Sequence, residues 1–328
     1  MLNQQTTTLL SHTGSELPIL CGAMYPCSNP ELVAAVSQAG GIGILQPISL
    51  TYVHGHDFRE GIRLMRRLSS NPIGMNALIE KSSKKYHERM MQWVDIALEE
   101  GIRFFVTSLG NPSWVVDKVH SVGGFVYHDV TEQRWAAKGL EAGVDGLIAV
   151  NNRAGGHAGE KSAETLIREL ETCKLPVVCA GGISSANEFH KTLQLGYAGV
   201  QMGTRFIASQ ECSASFAYKQ AIVNAHEEDI VLSEKITGVP VSIIRTDYVK
   251  RAGTQSGKIS RWMLKGNKTK HFMRIIYALK SLWQLKQASM DESGKFEYWQ
   301  AGKSVANIQQ IETVEKIILP YRQILKSE

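Results

Sequence analysis

Eight short apolar runs, each followed by a stretch of helical character, predict a TIM-type (β/α)8 barrel with a smaller helical insertion near the C-terminus. Repeated strand–helix units imply a parallel sheet, and eight of them close into a barrel. The length agrees: 328 residues exceed the roughly 250 that such a barrel needs, which leaves room for an insertion. An open doubly wound sheet is the alternative, but no G-x-G-x-x-G follows the first run, where a dinucleotide fold would place it.

The candidate strands are Pro18–Gly22, Gly41–Leu45, Ile73–Asn76, Phe104–Thr107, Gly124–His128, Gly146–Val150, Pro176–Ala180 and Gly199–Met202. They are brief, apolar on both faces and bounded by Gly or Pro, as parallel strands buried under helices should be. Asn29-Pro30-Glu31 opens a helix with a cap and a first-turn proline, and Ser162 and Ser184 begin two others. Gly40, Gly101, Gly143 and Gly196 stand where helices should stop. After about residue 228 the rhythm changes. The barrel is therefore set at 1–228, a helical insertion over its mouth at 229–299, and a last helix, from about Val305 to Leu325, within 300–328. Residues 250–290 mix Lys and Arg with Trp262, Met263, Phe272, Ile275 and Trp283, which reads as two or three helices with a basic outer face, before a turn at Asp291–Gly294.

The net charge of +5 is mild and does not suggest a nucleic-acid binder. Five cysteines without a C-x-x-C pair fit free thiols in a reducing compartment. The start, Met1-Leu2-Asn3-Gln4-Gln5, is unlike a signal peptide, and no long apolar run suggests a membrane helix, so the expectation is a cytoplasmic protein. His54-Gly55-His56 lacks a carboxylate or thiolate at ligand spacing, so no metal site is expected. Oligomeric state is not set by the sequence.

In this fold, chemistry collects where the strands end, with phosphate often held after the seventh and eighth. Those ends read Ala180-Gly181-Gly182-Ile183 and Met202-Gly203-Thr204-Arg205. Glycines let the backbone approach an anion, and Thr204 adds a hydroxyl; the alternative is that they only make tight turns. After the sixth strand comes Asn151-Asn152-Arg153-Ala154-Gly155-Gly156-His157-Ala158-Gly159. A histidine in a glycine-rich loop is placed to exchange a proton near neutral pH, or else to fix the loop through backbone bonds. Gly22-Ala23-Met24 puts small and flexible residues at the first strand end, where a flat ring could lie, and Asn76 offers an amide at the third.

Together these segments resemble the nitronate monooxygenase (2-nitropropane dioxygenase) family and its relatives, the flavin-type enoyl-acyl-carrier-protein reductases. The matching pieces are Pro18–Met24, Gly40–Gly43, Gly74–Asn76, Ala154–Gly159, Ala180–Ile183, Val200–Phe206 and Tyr298–Ser304. The resemblance implies FMN in the barrel mouth, its phosphate on Gly181, Gly182, Gly203 and Thr204. It implies Gly22, Ala23, Met24, Asn76, Ala154, Gly155, Gly156 and Gln201 around the cofactor, and His157 as the catalytic residue. The implied activity is oxidation of alkyl nitronates by oxygen to carbonyl compounds and nitrite. The alternative is an NAD(P)H-dependent reductase of an enoyl thioester or quinone, in which the basic stretch Lys250–Arg274 meets the nucleotide or an acidic carrier. One departure stands out: relatives often carry a lysine near the flavin at the fifth strand end, where this chain reads Tyr127-His128-Asp129-Val130-Thr131. Either Asp129 points away, or His128 or Arg153 compensates, or the redox behaviour differs.

Overall fold

A computed structural model describes residues 3–80, 83–236, 238–255, 269–291 and 296–327, with 269–279 as backbone only. The strands are β1 (Ile19–Cys21), β2 (Ile42–Leu45), β3 (Ile73–Leu78), β4 (Phe104–Ser108), β5 (Phe125–Val130), β6 (Gly146–Val150), β7 (Val177–Ala180) and β8 (Gly199–Met202). They pair in sequence order, all parallel, and β8 returns to β1 with Leu20 opposite Gln201, closing the barrel.

Side-chain alternation divides the strands between two cores. Leu20, Ile42, Ile44, Phe104, Val106, Tyr127, Ile148 and Val178 fill the barrel. Cys21, Leu45, Met75, Phe105, Val126, Leu147, Cys179 and Val200 face outward into the layer shared with the helices. The N-terminal end of the barrel is plugged by a helix the sequence reading did not include, Gln4–Thr13. Asn3 caps its start, accepting from Thr6 N at 2.7 Å, and Gly14 ends it at φ +66°. Leu9 on this helix is fully buried and joins the interior cluster, in space that Gly199 leaves by having no Cβ.

The stretch 229–299, expected to be helical, opens instead with a two-stranded antiparallel sheet, β9 (Ile230–Ser233) and β10 (Val241–Ile244). Both are short and rich in branched residues, which favours pairing. A helix at Asp247–Ala252 and a long one at Thr269–Met290 follow. The latter lies against loops at the C-terminal end of the barrel: Tyr25 Oη donates to Leu282 O at 2.6 Å, and Lys286 Nζ donates to Tyr52 O at 3.0 Å. Trp262, Met263, the run Lys265–Lys268 and the turn residues Glu292–Gly294 lie outside the described residues. The last helix spans Val314–Lys326, later than expected, because Lys303–Asn307 form a separate 3-10 turn. Among the described residues no helix is long and apolar enough to cross a membrane.

Candidate active site

Three backbone segments meet at the C-terminal end of the barrel with almost no side chain between them. Gly181 and Gly182, after β7, have φ of +116° and +81°. A Cβ on Gly181 would lie 2.5 Å from Asn151 Oδ1 and 2.6 Å from Ala154 N, and one on Gly182 would lie 2.7 Å from Arg153 Nε. On the other side, a Cβ on Gly155 would lie 2.9 Å from Gly302 N, and one on Gly302 would lie 2.6 Å from Arg153 O. Gly302 N in turn donates to Thr204 Oγ1 at 3.0 Å, which ties the eighth strand end into the cluster and leaves the Thr204 proton free to donate. Contact excludes a side chain at all four glycines, and conformation does so as well at Gly181 and Gly182.

Asn151 fastens this cradle, and the sequence reading assigned it no role. It is 1% exposed. Its Nδ2 donates to Gly181 O at 2.9 Å, and its Oδ1 accepts from Arg153 N at 2.8 Å. One side chain thereby locks the histidine loop to the phosphate-type loop. An asparagine directly after an apolar strand was the available signal. Strand β10 does the same from outside: Ser242 N donates to Gly156 O at 2.7 Å, and Ala301 N donates to Ser242 O at 3.3 Å. The hairpin thus joins the histidine loop to the C-terminal segment.

His157 stands at the rim of this arrangement. Its side chain is reached by solvent, yet protein atoms crowd it enough that desolvation lowers its pKa below the usual histidine value. The imidazole is therefore neutral at physiological pH, with one nitrogen able to accept a proton. Met24 closes in from β1, since a Cβ on Gly203 would lie 3.3 Å from its sulfur. Gly22 leaves room for Gln201, whose side chain would be 3.1 Å from a Cβ there. Asn76 is buried, donating from Nδ2 to Val106 O at 3.3 Å. Ala23 packs on the interior cluster.

The fifth strand settles the alternatives for Asp129. Phe125 and Tyr127 face the barrel interior, so Asp129, two residues further on, faces the same way. His128 faces outward: it pairs through Nδ1 with Thr107 Oγ1 at 2.8 Å, and burial pulls it down to a pKa of about 4. Arg153 is held by Glu227 in a two-pronged pair at 2.8 and 2.9 Å. Neither side chain pairs with Asp129 among the described residues. Its Oδ1 and Gln201 Oε1 are buried without a hydrogen-bond partner. Two orphaned acceptors facing a glycine-lined mouth fit a polar, flat ligand that brings its own donors, as a flavin ring does.

A cleft of about 480 Å³ lies at the opposite end of the barrel, lined by His12, Arg66, Asn71 and Arg103 among others. Helices Gln4–Thr13, Phe58–Leu68 and Lys84–Glu99 all end beside it. Arg66 lies in the last turn of one, and Arg103 donates to Leu98 O in another at 2.9 Å. Its positive charge offsets helix C-termini, and the cleft is remote from the strand ends where this fold does chemistry.

Comparison with known proteins gives the class: the chain is a flavin-dependent oxidoreductase. It belongs to the nitronate monooxygenase family, whose model matches residues 7–320. A protein of Staphylococcus saprophyticus named "Probable nitronate monooxygenase" is 28% identical over 311 residues, covering 82% of this chain and 86% of that protein. A Rhodococcus jostii enzyme, (3aS,4S,5R,7aS)-5-hydroxy-7a-methyl-1-oxo-octahydro-1H-indene-4-carboxyl-CoA dehydrogenase, is 27% identical over 258 residues, covering 77% of this chain and 70% of that protein. FabK from Thermotoga maritima superposes with a TM-score of 0.78 at 26% identity, over 97% of both chains.

Proposed function

We propose that this chain binds FMN in the barrel mouth and oxidises alkyl nitronates with oxygen to carbonyl compounds and nitrite. Amides of Gly181, Gly182 and Gly203 and the Thr204 hydroxyl would hold the phosphate. Gly22, Ala23, Met24, Asn76 and Gln201 would bound the ring, while Ala154, Gly155 and Gly156 form the wall that carries His157. FMN, when bound, supplies the electron transfer to oxygen; the protein supplies position, proton handling and exclusion of water. The observation that carries the reading is a neutral, accessible imidazole on a loop that shares its backbone contacts with the phosphate-type cradle. Neutral His157 orients the nitro oxygens of the substrate, and accepts the α-proton when a neutral nitroalkane enters instead.

The test is nitrite release from propionate 3-nitronate, and separately from a neutral nitroalkane, by the FMN-loaded chain and by His157→Asn. General acid–base work of this kind contributes about 10²–10⁴-fold, so the variant should keep its flavin and lose rate on that scale with nitroalkanes. No nitrite from either protein would end this reading.

A second reading, an NAD(P)H-dependent reductase of an acyl thioester or quinone, is favoured by two of the relatives: one named as a carboxyl-CoA dehydrogenase, the other FabK, an enoyl-ACP reductase. Fold alone does not separate these chemistries. Bleaching of the flavin by NADH or NADPH without oxygen would select the reductase.

A further inference from the structure

Strand β5 delivers a carboxyl group toward the barrel interior whose Oδ1 finds no hydrogen-bond partner among the described residues. Phe125 and Tyr127 occupy the interior below Asp129, while Val126 and Val130 pack outward. Asp129 lies opposite Ile148 on β6. On the β4 side the register pairs Thr107 with His128, so that strand brings no charge. The residue is partly exposed at the mouth, but its Oδ1 is shut off from solvent and makes no hydrogen bond among the described residues. The titratable neighbours are accounted for. His128 faces outward and is neutral, His157 is neutral, and Arg153 is engaged by Glu227. Desolvation, with no contribution from any charge, raises the Asp129 pKa to about 7. A buried carboxyl without a cation keeps its proton because the alternative is an unpaired buried charge.

We propose that Asp129 is the proton-bearing residue of the cofactor site and that the site therefore holds reduced flavin in its neutral form. The inference rests on the flavin reading above. Oxidised FMN taking up two electrons and two protons gives the neutral reduced ring; two electrons and one proton leave an anion. Where Asp129 is ionised it repels an anionic ring and so favours uptake of the second proton from water. Where it is protonated it is a proton donor within the site, and transfer of its proton to the ring followed by re-protonation of Asp129 from water gives the same net uptake of two protons. The same uncharged acid leaves the mouth open to an anionic nitronate, which a carboxylate would repel.

The flavin-loaded chain is reduced with dithionite under anaerobic conditions from pH 6 to 8.5, following absorbance and midpoint potential, alongside Asp129→Asn and Asp129→Lys. For a two-electron couple each proton taken up adds about 30 mV per pH unit. The expected slope is about 59 mV per pH unit across the range for the natural chain. For Asp129→Lys it should fall toward about 30 mV, with the reduced spectrum of the anion. Equal slopes and spectra in the natural chain and in Asp129→Lys overturn the proposal. Should the lysine variant fail to fold, Asp129→Asn keeps the question open to measurement: infrared spectroscopy of the full chain, against this variant, reports the protonated carboxyl directly. That band should persist to about pH 7. Its loss near the ordinary aspartate value of about 4 overturns the proposal whether or not flavin binds. A chain that takes up no FMN, by contrast, refutes the cofactor reading while leaving the infrared result to stand by itself.

Discussion

Replacing Gly181 by alanine tests the cradle most sharply, because the structure supplies its own control. Gly181 and Gly196 share an unusual backbone, φ +116° and +101°. An alanine at either costs about 1–3 kcal/mol in conformation, and both recover a similar fraction through the stiffer unfolded chain. Their surroundings differ. A Cβ on Gly196 meets nothing within 4 Å, whereas one on Gly181 would sit 2.5 Å from Asn151 Oδ1 and 2.6 Å from Ala154 N. Those neighbours are backbone and a locked amide, so relief requires moving the histidine loop. Overpacking of this kind costs about 1–3 kcal/mol. Gly181→Ala should therefore be less stable than Gly196→Ala by that amount in urea unfolding. FMN affinity should drop about 5- to 150-fold in Gly181→Ala and stay unchanged in Gly196→Ala. Equal stability of the two variants, with equal FMN affinity by equilibrium titration, would refute the reasoning.

Asn151→Ala removes the partner of Gly181 O and Arg153 N. Each buried group left unsatisfied costs about 1–3 kcal/mol, so both urea stability and FMN retention should suffer. Leu9→Ala empties space inside the barrel at the far end from the site. It should cost about 2–5 kcal/mol, read as a lower thermal midpoint, with the flavin spectrum unchanged. His128 and Asp129 give opposite pH dependences. His128, neutral in the fold with a pKa of about 4, makes stability fall as pH drops from the unfolded value of 6.5. Asp129, raised to about 7 from 3.8, makes stability fall as pH rises through that window. Asp129→Asn should thus stabilise the flavin-free chain at pH 8, by about 4 kcal/mol at most. It should also steepen the loss of stability between pH 6.5 and 4. A variant no more stable at pH 8 would contradict the burial of an uncompensated carboxyl.

The barrel was legible because its strands are continuous apolar runs bounded by Gly and Pro, a pattern that parallel burial imposes on local sequence. Gly146–Val150 and Gly199–Met202 fall on the observed strands, and the other six differ at their ends. With the fifth strand read as ending at His128, the direction of Asp129 stays open. The strand runs to Val130, and the two-residue period carrying Phe125 and Tyr127 inward carries Asp129 with them. The plugging helix is not legible because Gln4-Gln5-Thr6-Thr7-Thr8 offers little apolar periodicity, and its burial comes from Leu9 entering the barrel. The hairpin was obscured by the basic residues that follow it, although Val241-Ser242-Ile243-Ile244 carries a strand signal. Asn151 and Gly302 act through contacts 30 and 98 residues away along the chain, which no local pattern reports.

Anaerobic mixing of the FMN-loaded chain with propionate 3-nitronate, NADH and NADPH in separate experiments, followed at the visible flavin band, bears most directly on the proposed chemistry. Reduction by the nitronate and by neither nucleotide is the expected result, with nitrite appearing once oxygen is admitted. Rapid bleaching by a nucleotide, with the nitronate inert, would contradict nitronate oxidation and assign the barrel to a reductase.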